Sequence, residues 1–379
     1  MNPLRKLHEF GQSIWLDFIR RDLMTSGKLG RLIRDDGLRG MTSNPKIFEE
    51  AISESDHYDA VIKRLAEEGC TAEEAYERLT VEDVQMAADV FRPVYDESEG
   101  HDGFVSYEVS PHLARDTART VEEARRLWKT IDRPNILIKV PGTLEGLPAI
   151  RRLIGEGINV NVTLLFGLPR YGQVAEAYIA GLEDRLKQGQ PLNSVASVAS
   201  FFLSRIDVLV DPMLEKIMSQ GGNPAMLARE LRGQTAIASA RLAYQIYKKL
   251  FDEERFKKLR DQGAVPQRLL WASTSTKNPD YSDVKYVEPL IGPNTVNTVP
   301  LETLEAYRDH GDPMPRLEEE VTRAREAFDG LAKLQIDIDQ VTQQLEDEGV
   351  QKFIKPYDAL LATLGKELGA AKSVTSAAD

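Results

Sequence analysis

Residues 135–165 read NILIKVPGTLEGLPAIRRLIGEGINVNVTLL, and this stretch contains one complete strand–helix–strand unit. An apolar run with a single lysine comes first (Asn135–Val140), an amphipathic segment follows (Leu144–Glu156), and a run that alternates apolar and polar residues ends the unit (Ile158–Leu164). Two strands joined through a helix pair in parallel, and a parallel sheet needs helices on its faces. The stretch therefore predicts an α/β fold.

Similar short runs recur along the chain and bring the number of candidate strands to eight. The other six runs are Ser13–Asp17, Leu38–Asn44, Phe104–Val109, Ser194–Phe202, Arg268–Ser273 and Tyr286–Ile291. Helix-like segments lie between many of them, and they include Thr120–Ile131, Pro169–Lys187 and Ser204–Ser219. Eight such units match a (β/α)8 TIM barrel. An open, doubly wound sheet is the alternative, but no glycine-rich dinucleotide motif follows an early strand.

The chain of 379 residues contains more helix than a minimal barrel needs. We expect helical insertions at about 47–96 and 212–261, C-terminal helices at about 301–370, and a frayed polar tail at Lys372–Asp379. No Pro- or Ser-rich linker divides the sequence, so we predict one domain, residues 1–379. The added helices could cover the open end of the barrel, form the contact of a homodimer, or stabilise the scaffold.

The composition excludes several classes of protein. Hydrophobic residues make up 42% of the chain, which is enough for a packed core. The net charge of −12 argues against nucleic acid or an anionic membrane surface as partner. No apolar run approaches the roughly 20 residues that cross a bilayer, and the N-terminal residues lack the apolar core of a signal peptide. We therefore expect a cytoplasmic protein.

Cysteine and histidine usage gives no sign of a disulfide, a metal site or a cofactor. Cys70 is the only cysteine, so no disulfide can form within the chain. The five histidines are scattered without the spacing of metal ligands: His8, His57, His101, His112 and His310. We expect chemistry carried by the side chains alone.

Lys139 is the most informative residue of the opening stretch. It ends the apolar run ILIKV directly before a Pro-Gly turn, and active groups of barrels sit at the carboxyl ends of strands. A partly buried ammonium group loses hydration, which lowers its pKa, and a neutral amine can attack a carbonyl to form a Schiff base. The protonated imine draws electrons from a neighbouring C–C bond, which can then break. The alternative is a lysine that reaches to the strand end or pairs with a carboxylate.

Polar side chains close several other candidate strands. They are Asp17, Thr42, Asn44, Glu108, Asn161 and Thr163. Taken singly, either carboxylate could cap a helix or form a buried ion pair. Taken together with Lys139, carboxylates, amides and hydroxyls at successive strand ends form a set suited to proton transfer.

Hydroxyl and basic groups follow the sixth and seventh candidate strands. They are Ser200, Arg205, Ser273, Ser275 and Lys277. Barrels often bind a substrate phosphate in their late loops, and a guanidinium group with hydroxyls suits a phosphate dianion. The alternative, equally open on the sequence alone, is that Arg205 pairs with Asp207 or Asp211 on its own helix.

These residues lie in motifs that resemble the transaldolase family, in its longer bacterial type. The motifs are GMTSNPKIF (40–48), VSYEVSP (105–111), ILIKVPGT (136–143), GINVNVTLLF (157–166), SFFLSRID (200–207) and WASTSTKNP (271–279). The resemblance extends from the first strand to about Thr298. It implies a (β/α)8 barrel and a role in the pentose phosphate pathway. It also implies transfer of a dihydroxyacetone unit from sedoheptulose 7-phosphate or fructose 6-phosphate to glyceraldehyde 3-phosphate or erythrose 4-phosphate.

The resemblance also implies a role for each residue that matches. Lys139 would attack C2 of the ketose phosphate, and Asp17 would take the proton of the C4 hydroxyl as the C3–C4 bond breaks. Glu108 and Thr163, with a water between them, would move protons while the imine forms and hydrolyses. The substrate-binding residues would be Thr42 (in support of Asp17), Asn44, Asn161, Ser200, Arg205 and Ser273.

The sequence departs from the family pattern at one position and leaves two competing functions open. Shorter transaldolases carry a second phosphate-binding arginine where this chain has Ser275, and we hypothesise that Lys277 supplies the missing charge. Related aldolases that release free dihydroxyacetone carry Gln and Tyr where Glu108 and Phe202 stand here. A non-catalytic barrel that binds sugar phosphates is the second competitor.

Overall fold

Eight parallel strands close into a barrel in the computed structural model, which describes residues 2–376. The strands are β1 (Gln12–Asp17), β2 (Gly40–Thr42), β3 (Phe104–Glu108), β4 (Ile136–Pro141), β5 (Val160–Leu165), β6 (Ser197–Phe202), β7 (Arg268–Ala272) and β8 (Thr295–Val299). Each strand pairs with its neighbours in sequence, and β1 also pairs with β8. The predicted TIM barrel is therefore confirmed.

Sixteen α-helices accompany the strands in the described part of the chain. They are α1 (Pro3–Glu9), α2 (Arg21–Thr25), α3 (Lys28–Asp36), α4 (Pro45–Ser53), α5 (Asp59–Glu67), α6 (Ala72–Glu97), α7 (Thr117–Ile131), α8 (Gly146–Glu156), α9 (Leu168–Lys187), α10 (Ser204–Met218), α11 (Gly222–Leu231), α12 (Thr235–Asp252), α13 (Glu254–Arg260), α14 (Leu301–His310), α15 (Val321–Lys333) and α16 (Ile338–Ser376). None of them is long and apolar enough to cross a membrane. The expected frayed tail is helical as far as Ser376, and its last residues, 377–379, lie outside the described part.

The stretch 135–165 folds as the predicted strand–helix–strand unit. The buried positions of α8 include Ala149, Ile150, Leu153 and Ile154. This spacing places them on one face of the helix, which covers β4 and β5. Gly157 ends α8 at a φ of +87°, a left-handed conformation that favours glycine. The chain then returns to β5 in a register that puts Asn161 beside Lys139.

The position of the eighth strand was predicted wrongly. The run Tyr286–Ile291 forms a short 3₁₀ helix at Glu288–Leu290, and β8 is the following segment, Thr295–Val299. Pro289 lies inside the predicted run and has no N–H to give to a strand ladder. The segment Tyr286–Ile291 instead lies against the outer face of the barrel, where the Leu290 carbonyl accepts hydrogen bonds from Gln12 and Trp271.

The amino ends of the strands are joined through Asp102, which lies in the loop before β3. Ser13 Oγ and Trp15 Nε1 of β1 donate to its carboxylate at 2.5 and 3.1 Å. Arg268 of β7 donates to the same carboxylate at 3.0 Å, and Asp102 is only 4% exposed. This buried cluster connects β1 and β7 at the end of the barrel away from the strands' carboxyl ends.

The helix α16 crosses the other end of the barrel, at the carboxyl ends of the strands. Its inward face carries Val350, Phe353 and Leu360, which are 5%, 4% and 0% exposed. Gly349 lies against the end of β5, where an added Cβ would come within 3.0 Å of Leu164 Cδ2. Lack of a side chain at this position therefore lets α16 approach the strand ends closely.

Candidate active site

A cavity of about 570 Å³ opens at the carboxyl ends of the strands, beneath α16. Nine of the predicted site residues line it: Asp17, Thr42, Asn44, Lys139, Thr163, Ser200, Arg205, Ser273 and Lys277. The two others, Glu108 and Asn161, are buried directly behind this lining, on strands that flank Lys139. The fold thus brings all eleven residues to one end of the barrel.

Lys139 points from β4 into the cavity with its amine held in place. The residue is 4% exposed, and Nζ donates a 2.7 Å hydrogen bond to the Ser43 carbonyl. Glu108 Oε2 of the neighbouring strand lies 3.6 Å from Nζ, and the Phe353 ring centroid lies 5.7 Å away. The amine therefore has one firm hydrogen bond and one adjacent carboxylate, and it faces the open space of the cavity.

Glu108 is buried, and its carboxylate accepts no hydrogen bond from the described residues. Burial raises the pKa of Glu108 to about 7, because the loss of hydration outweighs the attraction of Lys139. The Thr163 hydroxyl is also buried without a partner among these residues. A carboxyl group with this pKa can both take and give a proton near neutral pH.

Asp17 ends β1 and faces the cavity with a fixed orientation. Thr42 Oγ1 donates to Asp17 Oδ1 at 2.6 Å, and the hydroxyls of Thr42 and Thr298 lie 2.7 Å apart. Burial raises the pKa of Asp17, although the Thr42 hydrogen bond and the charges of Lys139 and Arg205 oppose this shift. Asp17 thus combines a raised affinity for a proton with a side chain held by Thr42.

Amide and hydroxyl groups on adjacent strands form a buried chain of hydrogen bonds. Asn161 Nδ2 donates to Ser106 Oγ at 2.9 Å, and Ser200 Oγ donates to Asn161 Oδ1 at 2.7 Å. Asn44 instead caps α4, since its Oδ1 accepts from the Ile47 N–H at 3.1 Å. Capping leaves the amide nitrogen of Asn44 as the group that it can offer to a ligand.

Arg205 lies at the second position of α10, with its guanidinium over the Phe202 ring at 5.3 Å. Its Nη1 is buried without a hydrogen-bond partner, and it forms no ion pair among the described side chains. The predicted alternative partners are engaged elsewhere: Asp207 binds Tyr286 and Lys285, and Asp211 binds Tyr281. The alternative of a surface ion pair is therefore wrong, and Arg205 presents its charge to the cavity.

The loop after β7 brings further hydroxyl and basic groups to the same side of the cavity. Ser273 has a φ of +54°, an uncommon conformation for a residue other than glycine, and its Oγ lies 2.9 Å from Ser204 Oγ. Lys277 is exposed at the edge, where its Nζ donates to Ser275 Oγ at 2.6 Å. With the amino end of α10, which favours anions, these groups make a site suited to a phosphate.

The helix α16 contributes residues to the cavity that were not predicted from the sequence. Phe353 and Lys352 both line the cavity, although they follow the last strand by more than fifty residues. Lys352 Nζ pairs with Glu348 at 3.0 Å, one turn earlier in the helix. No strand end or turn marks these positions, and Phe353 lies among other apolar residues of the helix such as Val350 and Ile354, so the sequence gives no signal that would have indicated them.

The described side chains form no group of three or more histidine, cysteine or acidic residues that could hold a metal ion. The polar groups around the amine instead make a set of proton donors and acceptors beside a buried nucleophile.

Comparisons with known proteins identify the family of the chain. The model of the transaldolase/fructose-6-phosphate aldolase family matches residues 14–364. The chain belongs to this family. Transaldolases of Saccharopolyspora erythraea and Thiobacillus denitrificans are each 48% identical to it, over 97% and 96% of this chain and 98% and 100% of their own lengths. The transaldolase of Trichodesmium erythraeum is 47% identical over 97% of this chain and 98% of its own. The chain is therefore an enzyme, a transferase of the transaldolase class.

Proposed function

We propose that this enzyme transfers a dihydroxyacetone unit between sugar phosphates through a Schiff base on Lys139. The donor is sedoheptulose 7-phosphate or fructose 6-phosphate, and the acceptor is glyceraldehyde 3-phosphate or erythrose 4-phosphate. The observation that carries the proposal is a buried lysine amine 3.6 Å from a carboxyl group whose pKa is raised to about 7, inside a cavity at the strand ends. Such a pair can exchange the protons that imine formation requires.

The first half of the reaction breaks the donor. The Lys139 amine adds to C2 of the ketose phosphate, and water leaves as Glu108 moves protons with the help of Thr163 and a water. Asp17 then takes the proton of the C4 hydroxyl, and the electrons of the C3–C4 bond pass into the protonated imine. An aldose phosphate leaves, and the three-carbon unit remains on Lys139 as an enamine.

The second half builds the product. C3 of the enamine attacks the aldehyde carbon of the acceptor, and Asp17 returns its proton to the new hydroxyl. Water then adds to C2 of the imine, the C–N bond breaks, and the new ketose phosphate leaves. The hydroxyls of the three-carbon unit bind Asn44, Asn161 and Ser200.

The phosphate of either substrate binds to Arg205, Ser273 and Lys277 in this proposal. The buried Nη1 of Arg205 without a partner supports this assignment, because an uncompensated buried cation is stabilised by an anion. The hydroxyls of Ser204 and Ser273 and the amino end of α10 add hydrogen-bond donors on the same side of the cavity.

Reductive trapping tests the Schiff base. After incubation with fructose 6-phosphate and borohydride, mass spectrometry should find a three-carbon adduct on the peptide that contains Lys139. Lys139→Met is the matched control and should give no adduct. If the unaltered enzyme also gives none, the Schiff-base mechanism is wrong.

The products separate a transferase from an aldolase. With fructose 6-phosphate and erythrose 4-phosphate, we expect sedoheptulose 7-phosphate rather than free dihydroxyacetone, since Glu108 and Phe202 match the transferase pattern. Free dihydroxyacetone as the main product would identify an aldolase.

We also propose the setting in which the enzyme acts. In this proposal the enzyme acts in the non-oxidative pentose phosphate pathway in the cytoplasm, and its partners are sugar phosphates rather than nucleic acid or a membrane. A homodimer stays a prediction, which light scattering at micromolar protein concentration tests directly.

A further inference from the structure

Phe353 of α16 lies close to the reactive amine of Lys139. Its ring centroid is 5.7 Å from Lys139 Nζ, and the residue is 4% exposed although it lines the cavity. Phe202 lies near Arg205 instead, with its ring 5.2 Å from that of Phe166. The two phenylalanines thus line different parts of the cavity, and Phe353 lies beside the amine of Lys139.

The position of Phe353 is fixed by the contacts of α16 on both sides of it. Glu346, about two turns earlier, forms a buried ion pair with Arg170 at 3.2 Å. Tyr357, one turn later, packs edge-on against Tyr76 with ring centroids 5.0 Å apart. These contacts hold α16 on both sides of Phe353, and the 4% exposure of this residue shows that its ring is packed as part of the cavity wall.

In the proposed reaction, an apolar wall beside the amine affects what happens to the intermediate on Lys139. The enamine on Lys139 has two fates, since its C3 can form a bond with an acceptor aldehyde or take a proton. In the second case water adds to C2, the C–N bond breaks, and free dihydroxyacetone leaves with the lysine restored. Protonation of C3 and the hydrolysis that follows both need water, or a proton carried by water, close to the amine.

We propose that Phe353 is a specificity-determining residue that keeps bulk water from the intermediate on Lys139, so that transfer is favoured over release. This inference rests on the proposed Schiff base. Its apolar ring occupies space beside Nζ, while the water needed at the end of each cycle is handled on the Glu108 side of the amine. Phe353 acts by filling volume, so another large apolar side chain should replace it.

The test measures the ratio of release to transfer in purified variants. Fructose 6-phosphate and erythrose 4-phosphate are supplied together, and free dihydroxyacetone and sedoheptulose 7-phosphate are both quantified. We expect Phe353→Ala to raise the ratio about tenfold, which corresponds to about 1.4 kcal/mol in relative barrier height. Phe353→Leu should stay near the unaltered ratio, and Phe353→Val, the milder truncation, should lie between them.

Two controls separate this effect from damage to the helix and from failure of the mechanism. Ile354→Ala shortens the next side chain of α16, which packs on the core outside the cavity, and it should leave the ratio unchanged. Borohydride trapping at Lys139 is repeated in every variant, because absence of the adduct in the unaltered enzyme refutes the Schiff base rather than the role of Phe353.

Two results would overturn the inference while trapping succeeds. The first is an unchanged ratio in both Phe353→Ala and Phe353→Val. The second is a ratio in Phe353→Leu as high as in Phe353→Ala, which would assign the effect to the aromatic ring and not to exclusion of water.

Discussion

Two carboxyl groups at the strand ends around the cavity owe their raised pKa values to the same cause, burial, and differ in their partners. Asp17 is bound by the Thr42 hydroxyl, whereas Glu108 accepts no hydrogen bond from the described residues and lies 3.6 Å from Lys139. A hydrogen bond fixes the direction in which Asp17 accepts a proton, while Glu108 is left to respond to the charge of the amine. Environment thus assigns separate proton-transfer roles to two similar groups.

The raised pKa of Glu108 predicts the pH dependence of the reaction. Glu108 must be ionised to take a proton, so the transfer rate should rise with pH through about 7. Glu108→Gln should abolish this rise and lower kcat by about a hundredfold, the usual range for loss of a general acid–base group. Initial rates between pH 5 and 9 check both expectations, and a rise that persists in Glu108→Gln would contradict them.

The same shift predicts how Glu108 affects stability. A pKa above the ordinary value of 4.5 means that folding favours protonated Glu108. Its favourable contribution is therefore complete below pH 4.5 and is lost as the pH rises through about 7. Urea unfolding of the unaltered enzyme and of Glu108→Gln at pH 5 and pH 8 checks the sign. We expect the variant to gain stability relative to the unaltered enzyme at pH 8, and the opposite sign would contradict this assignment.

The proposed role of Lys277 in binding the substrate phosphate predicts a change in KM when its charge is removed. Its charge is exposed, so Lys277→Ala should raise the KM for fructose 6-phosphate by about fivefold, equivalent to about 1 kcal/mol. Arg205→Ala removes a largely buried charge and should raise it by about thirtyfold, equivalent to about 2 kcal/mol. Steady-state kinetics measures both effects, with Lys258→Ala, an exposed lysine of α13, as the control. An unchanged KM in Lys277→Ala would remove Lys277 from the site.

At the scale of elements, the first seven strands could be predicted because each lies in a short apolar or alternating run that ends in a recognisable turn or polar residue. The eighth could not, because its sequence, TVNTV, has polar side chains on the face that normally packs against helices. Here that face is covered by the segment before it: Asn297 Nδ2 donates to the Tyr286 carbonyl and Thr295 Oγ1 to that of Gly292. Backbone carbonyls that cover a strand leave no pattern in a sequence.

The helix α16 shows a second limit of prediction from sequence. The segment was expected to be helical, but the charged pattern of its sequence does not indicate which element it covers. Its place over the cavity depends on contacts with distant parts of the chain, among them Arg170 and Tyr76. Such pairings are decided by packing of the whole fold, so the predicted site lacked Phe353.

The ion pair between Arg170 and Glu346 predicts how firmly α16 is held. Both side chains are nearly buried, at 11% and 8% exposure, so Glu346→Gln leaves a cation without a partner and should lower the free energy of unfolding by about 3 kcal/mol. Asp347→Asn is the matched control, because the ion pair of Asp347 with Arg115 is half exposed and should contribute less than about 1 kcal/mol. Urea unfolding compares the two variants, and equal losses would contradict the anchoring role of Arg170 and Glu346.

At the scale of the whole molecule, the two ends of the barrel differ in what surrounds their polar groups: the carboxyl ends of the strands open into the cavity, whereas Asp102 lies in a buried cluster at the amino ends. At the carboxyl ends, Glu108, Thr163 and Arg205 keep buried polar atoms without partners among the described residues. At the amino ends, the Asp102 carboxylate accepts hydrogen bonds from Ser13, Trp15 and Arg268. Unpaired polar groups beside a cavity can bind a ligand, whereas the paired groups around Asp102 stabilise the barrel, so the cavity and this stabilising cluster lie at opposite ends.

This division predicts opposite outcomes for variants at the two ends. Asp102→Ala removes three hydrogen bonds and leaves Arg268 with a nearly buried charge, so the free energy of unfolding should fall by about 3 kcal/mol. Asp102→Asn retains the shape and part of the bonding and should lose less. Because the cluster lies at the far end of the barrel from the cavity, the folded fraction of both variants should keep its kcat and KM. Urea unfolding and active-site titration by borohydride trapping measure the two quantities separately, and a fall in kcat per folded molecule would show that the two ends are coupled.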